Sequence, residues 1–404
     1  MKKLFLSVCL MMAVSYTFAQ TTNVKKAEGL LNQETPDFKG AREAIKAAML
    51  DETTKNDAKT YYIAGLIGEK ENDNFYIQQQ LKQKIDTIKK GKAIMESIKY
   101  YLIADSLDQL PDEKGKIKPR YSKKISAVIR SYHDKEENLY SYGAKAYNTQ
   151  NYQDAFEAFG AFLKIPSYSV MSKEVFPENE GTKHIKYYTA LSAYNIGKYP
   201  EAIKIANELK NDTIRTNDVY RLLYTVHGAM KDTVAYLNIL KEGFTKFKND
   251  PWYLQTIINH YIFSGKLEDA SKYLDDAIAQ SPNAEYYAVK GNIEDKLGHL
   301  DIARAAFDKA LQLDANSAEA HAGIGRLIFN KGVEMTNVAN AIKDNKLYQK
   351  EKEKADAVFK EAMPYLQKAL ELKPNDYENK FALKQLYYRL DMQKEYDEIS
   401  KQMN

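Results

Sequence analysis

The chain has 404 residues, of which 44% are hydrophobic and 28% are charged, as is usual for a folded protein of one or more domains. Its 10 prolines and 18 glycines argue against a disordered or an all-β chain, and a formal net charge of +4 gives no reason to expect a nucleic-acid partner. Cys9 is the only cysteine, which excludes internal disulfides and cysteine-based metal sites.

The N-terminus, MKKLFLSVCLMMAVSYTFAQ, is typical of an export signal. Two lysines precede the apolar run Leu4–Val14, which is too short for a permanent membrane anchor, and small residues place the cleavage after Ala19. Cys9 follows Val8 inside the apolar run, which disfavours lipid attachment there. We predict a signal peptide at residues 1–19 and an exported chain without a transmembrane anchor. The expected location is the periplasm, with peripheral association with the outer membrane or secretion as alternatives.

Residues 20–135 predict helical repeats with enlarged helices. The stretch DFKGAREAIKAAMLDE places small and apolar residues at helical spacing, and residues 53–135 continue with long helical stretches such as IQQQLKQKIDTIKKGK. The segment PDEKGKIKP, residues 111–119, is a loop by composition. We interpret this region as enlarged repeats with a connecting loop and not as a separate kind of domain.

From residue 136 to 404 the sequence repeats with a period near 34 residues. GKLEDASKYLDDAIAQSPN and GHLDIARAAFDKALQLDAN begin at glycines 33 residues apart. The matched positions are Gly265 and Gly298, Ala270 and Ala303, Leu274 and Phe307, and Ala277 and Ala310. Two alanines seven residues apart, with a large apolar residue between them, lie on one helical face. The alanines allow a neighbouring helix to approach closely, and the large residue fills the gap. A single helix pair cannot bury enough surface, so the pairs must stack.

This pattern resembles the tetratricopeptide repeat family, in which each unit is a pair of antiparallel helices. The small contact residues of the first helices would be Gly143, Gly291 and Gly325, and the turn glycines Gly197, Gly265, Gly298 and Gly332. Lys231 stands where another turn glycine is expected. The chain is also similar to exported repeat proteins of Bacteroidetes without an established activity, through stretches such as YYIAGLIGEKEND. The resemblance implies an all-α fold, a right-handed α-solenoid of tetratricopeptide-type helix pairs.

A helical insertion interrupts the repeat at about residues 333–357. Two apolar stripes at helical spacing flank a turn signal at Asp344–Asn345. The stripes consist of Ile328, Met335, Val338 and Ile342, and of Tyr348, Ala355, Phe359 and Ala362. We predict one overlong helical hairpin near the C-terminus, which either packs on itself as a spur or serves as a docking arm.

The sequence carries no signal for catalysis. The six histidines lack zinc-binding spacing, and nucleophile elbows, phosphate loops and dinucleotide fingerprints are missing. His227 and His260 hold equivalent places in successive first helices, but two histidines without a third ligand make a poor metal site. We predict no metal, no cofactor and no enzymatic activity. An active site hidden among residues 53–135 is the alternative.

Charge is unevenly distributed along the chain. Residues 53–135 contain 17 basic and 11 acidic side chains, whereas residues 267–320 contain 5 basic and 11 acidic ones. The lysine-rich stretch LKQKIDTIKKGK, Leu81 to Lys92, could bind an anionic partner. Ordinary solubility explains the same lysines, so both interpretations stay open.

The resemblance implies that first helices line a concave groove, and the candidate binding residues are the first-helix side chains directed away from the second helices. Aromatic residues and arginines, which often anchor interfaces, dominate this set. The set is Tyr140, Tyr147, Tyr187, Tyr194, Arg221, Trp252, Asn259, Phe263, Asn292 and Arg326, with Tyr62, Phe381 and Arg389 as further members. We predict a non-enzymatic scaffold that binds a protein or extended peptide. The alternative is a protein that binds an envelope glycan through the groove tyrosines.

Overall fold

The computed structural model describes residues 23–112 and 114–403, and the regular structure of these residues is entirely helical, which confirms the all-α fold class. The predicted signal peptide and Cys9 lie outside the described residues. The helices are α1 (23–31), α2 (Phe38–Met49), α3 (Ala58–Gln80), α4 (Thr87–Asp108), α5 (Ser122–Asp134), α6 (Leu139–Asn148), α7 (Tyr152–Lys164), α8 (Glu180–Asn195), α9 (Tyr199–Leu209), α10 (Thr216–Ala229), α11 (Thr233–Lys246), α12 (Pro251–Phe263), α13 (Leu267–Gln280), α14 (Ala284–Lys296), α15 (Leu300–Leu313), α16 (Ala318–Asn340), α17 (Asn345–Leu372), α18 (Tyr377–Arg389) and α19 (Gln393–Lys401). Two short 3-10 turns, η1 (Ile165–Ser167) and η2 (Ser169–Met171), follow α7.

The chain divides into two compact units, with the boundary in the sequence between Ile239 and Leu240. We call them the N-terminal unit and the C-terminal unit. None of the described helices is both long enough and apolar enough to cross a membrane.

Short polar residues fix where many helices begin. The side chain of each accepts a hydrogen bond from a backbone N–H of the first turn, a group that has no partner within the helix. Asp344, for example, accepts from the N–H of Leu347 at 2.8 Å, so α17 begins directly after the predicted turn residue. The other capping residues are Asp37, Asp57, Asp86, Asn151, Asn179, Asp250, Asn283, Ser317 and Asp376.

The turns within the repeats share one backbone conformation. The second residue after the first helix has a positive φ at Gln150, Gly197, Lys231, Gly265, Gly298 and Asp391. Following Gly298, the N–H of His299 donates to the carbonyl of Glu294 at 2.9 Å, which closes the helix end. The predicted turn roles of Gly197, Gly265 and Gly298 are confirmed, and Lys231 adopts the same left-handed conformation with φ of 58°.

The predicted turn at Gly332 is wrong. This glycine is buried inside α16, which continues to Asn340, and a side chain there would overlap the ring of Phe359. The glycine allows α16 and α17 to approach each other, so it serves packing and not a change of chain direction. The repeat frame misplaced it because the inserted residues extend both helices beyond the usual turn.

In the C-terminal unit, the second helices pack through small and large residues in alternation. Ala303, Phe307 and Ala310 of α15 are fully buried. A Cβ on Gly291 would lie 2.5 Å from the ring of Phe307, so α14 can reach this ring only because it has a glycine there. Small residues therefore recur because each marks a close approach between helices.

In the N-terminal unit, two helices exceed the usual repeat length. Helix α3 has 23 residues and α4 has 22, and the loop between α4 and α5 contains the predicted loop region. Helix α5 packs on α4 and α6 and also contacts η1 and η2, so it stands outside the two-helix alternation. The C-terminal unit also has a long pair, with 23 residues in α16 and 28 in α17, and Pro364 lies inside α17.

Candidate binding face on the first helices

Three polar candidates of the C-terminal unit occupy corresponding places on successive first helices. Asn259 of α12, Asn292 of α14 and Arg326 of α16 are 33 and 34 residues apart. The Arg326 Nη2 group donates a hydrogen bond to Asn292 Oδ1 at 2.7 Å. Asn259 is exposed, whereas Asn292 and Arg326 are half-buried. Donors and acceptors at such intervals can pair with the polar groups of an extended backbone.

Two aromatic candidates lie at opposite ends of α12. The indole of Trp252 is half-buried and packs edge-to-face on the ring of Tyr253, with 4.9 Å between the ring centroids. Phe263 is 88% exposed, which is exceptional for a phenylalanine and makes its ring available to a partner. Gln255 lies between them in sequence and donates to Glu285 Oε1 at 3.3 Å. Of the further members, Phe381 is half-exposed and Arg389 lies over the rings of Phe329 and Phe359.

The tyrosine candidates of the N-terminal unit are engaged with other rings. Tyr147 packs edge-to-face on Tyr152 and on Tyr188, with centroid distances of 5.4 and 5.1 Å. The guanidinium of Arg215 lies 5.2 Å from the ring centroid of Tyr187. Burial, with a smaller contribution from the negative charge of Asp218, raises the pKa of Tyr187 to about 12, so its hydroxyl stays protonated.

The other candidates of this unit make fewer ring contacts. Tyr194 tilts against Tyr199 at 6.0 Å, Tyr62 stacks on Tyr121 at 4.3 Å, and Arg221 is half-buried on α10. Tyr140 is 38% exposed and borders a cavity. The structure thus joins Asn292 to Arg326 directly, and it distributes the tyrosines among separate ring contacts.

The cavity beside Tyr140 contains side chains that the sequence analysis did not select. It has a volume of about 760 Å³ and is lined by residues of α5, α6, α7, α8, the segment before α8 and the residue before α10. Arg215 at its edge donates to His184 Nδ1 at 3.0 Å and to Asp218 Oδ2 at 3.1 Å. Arg130 donates to the carbonyl of Val175 at 3.0 Å and lies 4.3 Å from the ring centroid of Phe176.

A larger opening lies on the other side of the same segment. Its volume is about 850 Å³, and it shares His133, Phe162, Phe176, Pro177 and Thr182 with the first cavity. The His133 ring stacks on Phe162 at 4.1 Å and meets Phe176 edge-on at 4.7 Å, so these rings form the common wall. The available sequence signal was the long connection between α7 and α8, which lacks the repeat pattern.

The described residues contain no group of three or more histidine, cysteine, aspartate or glutamate side chains placed to hold a metal. The nearest arrangement to a catalytic group joins Ser271, Glu294 and His299. Ser271 Oγ donates to Glu294 Oε1, and His299 Nδ1 lies 2.8 Å from Glu294 Oε2. The carboxylate stands between the hydroxyl and the imidazole, so the histidine is not placed to take the serine proton. Burial raises the pKa of Glu294, but the hydrogen bonds from Ser271 and His299 outweigh it and lower the value.

The two histidines that hold equivalent repeat positions each contact residues of their own unit. His227 Nδ1 lies 3.8 Å from Asp232 Oδ2, and His260 packs edge-to-face on Tyr261 at 5.5 Å. Burial, helped by the charge of Lys266, lowers the pKa of His260. Each imidazole therefore has a local packing role.

Comparisons with known proteins agree with the repeat pattern. Residues 256–318 match the family described as tetratricopeptide repeat. A TPR repeats protein from Bacteroides fragilis is 23% identical, with 62% of this chain and 96% of that chain covered and a TM-score of 0.32. A tetratricopeptide repeat protein from Parabacteroides merdae is 13% identical, with coverage of 74% and 95% and a TM-score of 0.26. The TPR domain of P58(IPK) is 13% identical, with coverage of 93% and 99% and a TM-score of 0.29. No curated protein matches the chain. The family match over residues 256–318 confirms the resemblance to tetratricopeptide repeats.

Proposed function

We propose that this chain, which carries tetratricopeptide repeats, is a non-enzymatic adaptor of the cell envelope that binds a protein or extended peptide along its first helices. Tetratricopeptide repeats generally mediate protein–protein interaction, and residues 256–318 match that family. The observation that carries the proposal is the series Asn259, Asn292 and Arg326, which recurs in phase with the helix pairs beside the exposed ring of Phe263.

The geometry of the C-terminal unit favours an extended peptide. The Arg326–Asn292 hydrogen bond leaves further guanidinium N–H groups and the Asn292 amide N–H groups as donors. Asn259, one repeat earlier, supplies an exposed donor and acceptor. An extended chain carries a carbonyl and an N–H on each residue, so it can pair with such a series, while Phe263 offers an apolar contact.

The envelope location rests on the N-terminal sequence. A charged start, a short apolar run and small residues before Gln20 are the features of a secretory signal. The glycan alternative receives less support because Tyr187, one of the groove tyrosines, has Arg215 over its ring.

Site-specific photo-crosslinking tests the proposed face. A photoreactive phenylalanine replaces Phe263 on first helix α12, and in a separate variant it replaces Ile302 on second helix α15, which is 49% exposed. We expect a defined protein adduct in cell-envelope extracts from position 263 and none from position 302. Equal adducts at both positions, or a glycan adduct at position 263, would contradict the proposal.

Affinity for the crosslinked partner provides the second test. Asn292→Ala with Arg326→Ala removes the polar pair, and we expect the Kd to rise at least about tenfold because several hydrogen bonds are lost. The matched control is Lys309→Ala with Gln312→Ala, which removes the exposed Lys309–Gln312 hydrogen bond of 3.1 Å on α15. Isothermal titration calorimetry should show an unchanged Kd for the control. An equal rise in both variants would contradict a role for the first-helix face.

A further inference from the structure

The end of α3 and the start of α4 form an exposed tip that lies outside the candidate binding face. We call residues 76–89 the α3–α4 tip. Every side chain from Gln79 to Lys84 is exposed, so this part of the hairpin projects beyond its neighbours. The helix ends in a closed turn, in which the N–H of Gln83 donates to the carbonyl of Gln78 at 2.9 Å. The tip is thus an exposed turn closed by a backbone hydrogen bond.

Apolar side chains occupy this exposed end. Ile77 is 55% exposed and Leu81, four residues later, is 65% exposed. Residues four apart lie on the same side of a helix, so the two side chains form one small apolar surface. Tyr76, which is 40% exposed, precedes them and adds an amphipathic ring.

Lysines surround these side chains. Lys82, Lys84 and Lys89 are exposed, and their ammonium groups make no hydrogen bond or ion pair with any residue that the structure describes. The one carboxylate within the tip, Asp86, accepts from the backbone N–H groups of Ile88 and Lys89 and is committed to the start of α4. The tip therefore has an excess of uncompensated positive charge.

A buried lysine fixes the tip to the body of the N-terminal unit. Lys90 is only 1% exposed, and its ammonium group donates to Gln79 Oε1 at 2.9 Å and to the carbonyl of Glu137 at 3.0 Å. Gly91 beside it packs against the ring of Tyr142 so closely that a Cβ would overlap that ring. These contacts consequently hold the exposed apolar and basic side chains of the tip in place.

We propose that the α3–α4 tip docks on the surface of an anionic lipid bilayer. Ile77 and Leu81 enter the boundary between headgroups and acyl chains, and the three lysines contact the headgroup phosphates. The combination of exposed apolar side chains with unpaired lysines favours an anionic bilayer over an acidic peptide, because a bilayer surface offers phosphates and acyl chains together. The tyrosine ring suits the interfacial layer, where aromatic side chains with a polar group concentrate.

The α16–α17 hairpin provides a matched comparison within the same chain. Its tip, residues 338–351, also has two exposed apolar side chains, Val338 at 66% and Leu347 at 46%. Three lysines there, at 343, 346 and 350, are accompanied by the carboxylates of Asp344 and Glu351. This tip has less excess positive charge, and its apolar side chains belong to different helices. We assign the lipid contact to the α3–α4 tip alone.

Vesicle flotation of the predicted mature chain, from residue 20, tests the assignment. We expect binding to vesicles of phosphatidylcholine with 30% phosphatidylglycerol and at least about fivefold less binding to pure phosphatidylcholine. Lys82→Glu with Lys84→Glu and Lys89→Glu should reduce binding to the anionic vesicles at least about tenfold. Ile77→Ser with Leu81→Ser should reduce it about threefold or more. The control Lys343→Glu with Lys346→Glu and Lys350→Glu should change it less than about twofold.

A fluorescent label locates the contact independently. Because Cys9 is the only cysteine and precedes residue 20, Leu81→Cys or Leu347→Cys gives a single labelling site in the mature chain. An environment-sensitive dye at position 81 should shift to the blue with the anionic vesicles, and the same dye at position 347 should not. Equal binding to neutral and anionic vesicles, unchanged binding of the Lys82, Lys84 and Lys89 variant, or an equal shift at both positions would overturn the proposal. Recovery of an acidic protein without vesicle binding would also overturn it.

Discussion

The longest helix pairs among the described residues, α3–α4 and α16–α17, are held together by different chemistry. Between α16 and α17, glycines meet large apolar residues: a Cβ on Gly325 would lie 2.6 Å from Leu366, and one on Gly332 would lie 2.7 Å from Phe359. The α3–α4 pair has one such contact, between Gly65 and the ring of Tyr101, but it also buries polar side chains. These include Thr60, Asn72, Lys90, Ser97 and Asp105.

The polar pair also forms ionic contacts at its borders. Arg42 of α2 donates to Glu96 Oε2 of α4 at 2.9 Å and pairs with Glu71 of α3. Tyr101 of α4 donates its hydroxyl hydrogen to Glu69 of α3. Small-to-large packing leaves a recurring trace in the sequence, whereas buried polar side chains without a fixed spacing leave none. This difference explains why residues 53–135 matched the repeat pattern less well.

Glycine substitutions should produce the largest difference in stability loss between the two helix pairs. A Cβ at Gly68 of α3 would meet the backbone oxygen of Ala93 and lie 2.9 Å from the backbone N of Ser97, so α4 itself would have to move. We expect Gly68→Ala to cost about 3 kcal/mol or more, and Gly332→Ala about 1–2 kcal/mol because the Phe359 ring can shift. Amide hydrogen exchange of α4 and α17 measures each loss. The control is Gly160→Ala, where an added Cβ would meet no heavy atom within 4 Å, and it should stabilise α7 by about 0.5–1 kcal/mol. Similar losses for Gly68→Ala and Gly332→Ala would contradict the comparison.

Removing one buried side chain from each pair tests the polar and apolar interiors. Leu366→Ala should cost about 3 kcal/mol in the free energy of unfolding because Leu366 is fully buried and leaves a cavity. Lys90→Met should cost only about 1 kcal/mol, because the loss of two hydrogen bonds is partly offset when no ammonium group has to be buried. Urea denaturation followed by circular dichroism gives both values. If Lys90→Met lowers the free energy of unfolding by more than about 1 kcal/mol, the hydrogen bonds of Lys90 outweigh the cost of burying its charge.

The buried carboxyl group of α3 predicts a pH dependence for this pair. Burial raises the pKa of Glu69, against the Tyr101 hydrogen bond and the charge of Lys124, whose Nζ lies 3.9 Å from Glu69 Oε1. The folded state therefore holds this proton more tightly than the unfolded state. Its stabilising contribution is complete below the unfolded value of about 4.5 and is lost as the pH rises through the raised value.

Glu69→Gln removes this titration but keeps an acceptor for Tyr101. As the pH rises from about 4 to 7, wild type should lose stability relative to Glu69→Gln. Asp73 lies nearby, and burial also raises its pKa, but this residue is present in both proteins. Urea titrations at several pH values give the difference curve. A flat curve, or one with the opposite slope, would refute the prediction.

The smallest effects should come from the two tips. Leu81→Ser and Val338→Ser replace side chains that are 65% and 66% exposed, so each should change the free energy of unfolding by less than about 0.5 kcal/mol. Thermal and urea denaturation measure both. A loss above about 1 kcal/mol at either position would show that the side chain packs against the hairpin, and its exposure would then need another explanation.

The sequence predicted those parts of the fold in which packing repeats. Gly143 and Gly291 meet the rings of Phe159 and Phe307 because the repeat requires a small residue opposite a large one. The same frame failed at Gly332, where a longer helix moved the turn. It gave no indication of α5 as a separate helix outside the pairs, because α5 packs through Ile125, Ile129 and Tyr132 without a repeated partner.

The candidate binding face was less predictable. Asn259, Asn292 and Arg326 followed from the repeat phase, and the Arg326–Asn292 hydrogen bond agrees with their adjacency. Arg215 and Tyr188 could not be selected, since the cavity that they line is completed by α5 and the segment before α8, which carry no periodic signal. Their role as well as that of the ten candidates stays a prediction.

Pro364 interrupts the backbone hydrogen bonding of α17. Proline has no N–H, so the carbonyl of Lys360 does not receive the backbone hydrogen bond that a residue one turn later usually donates. The helix bends most readily at such a gap. Helix α16 packs on both sides of this gap, with Gly332 against Phe359 and Gly325 against Leu366, so contacts from the neighbouring helix support α17 where its own hydrogen bonding is incomplete.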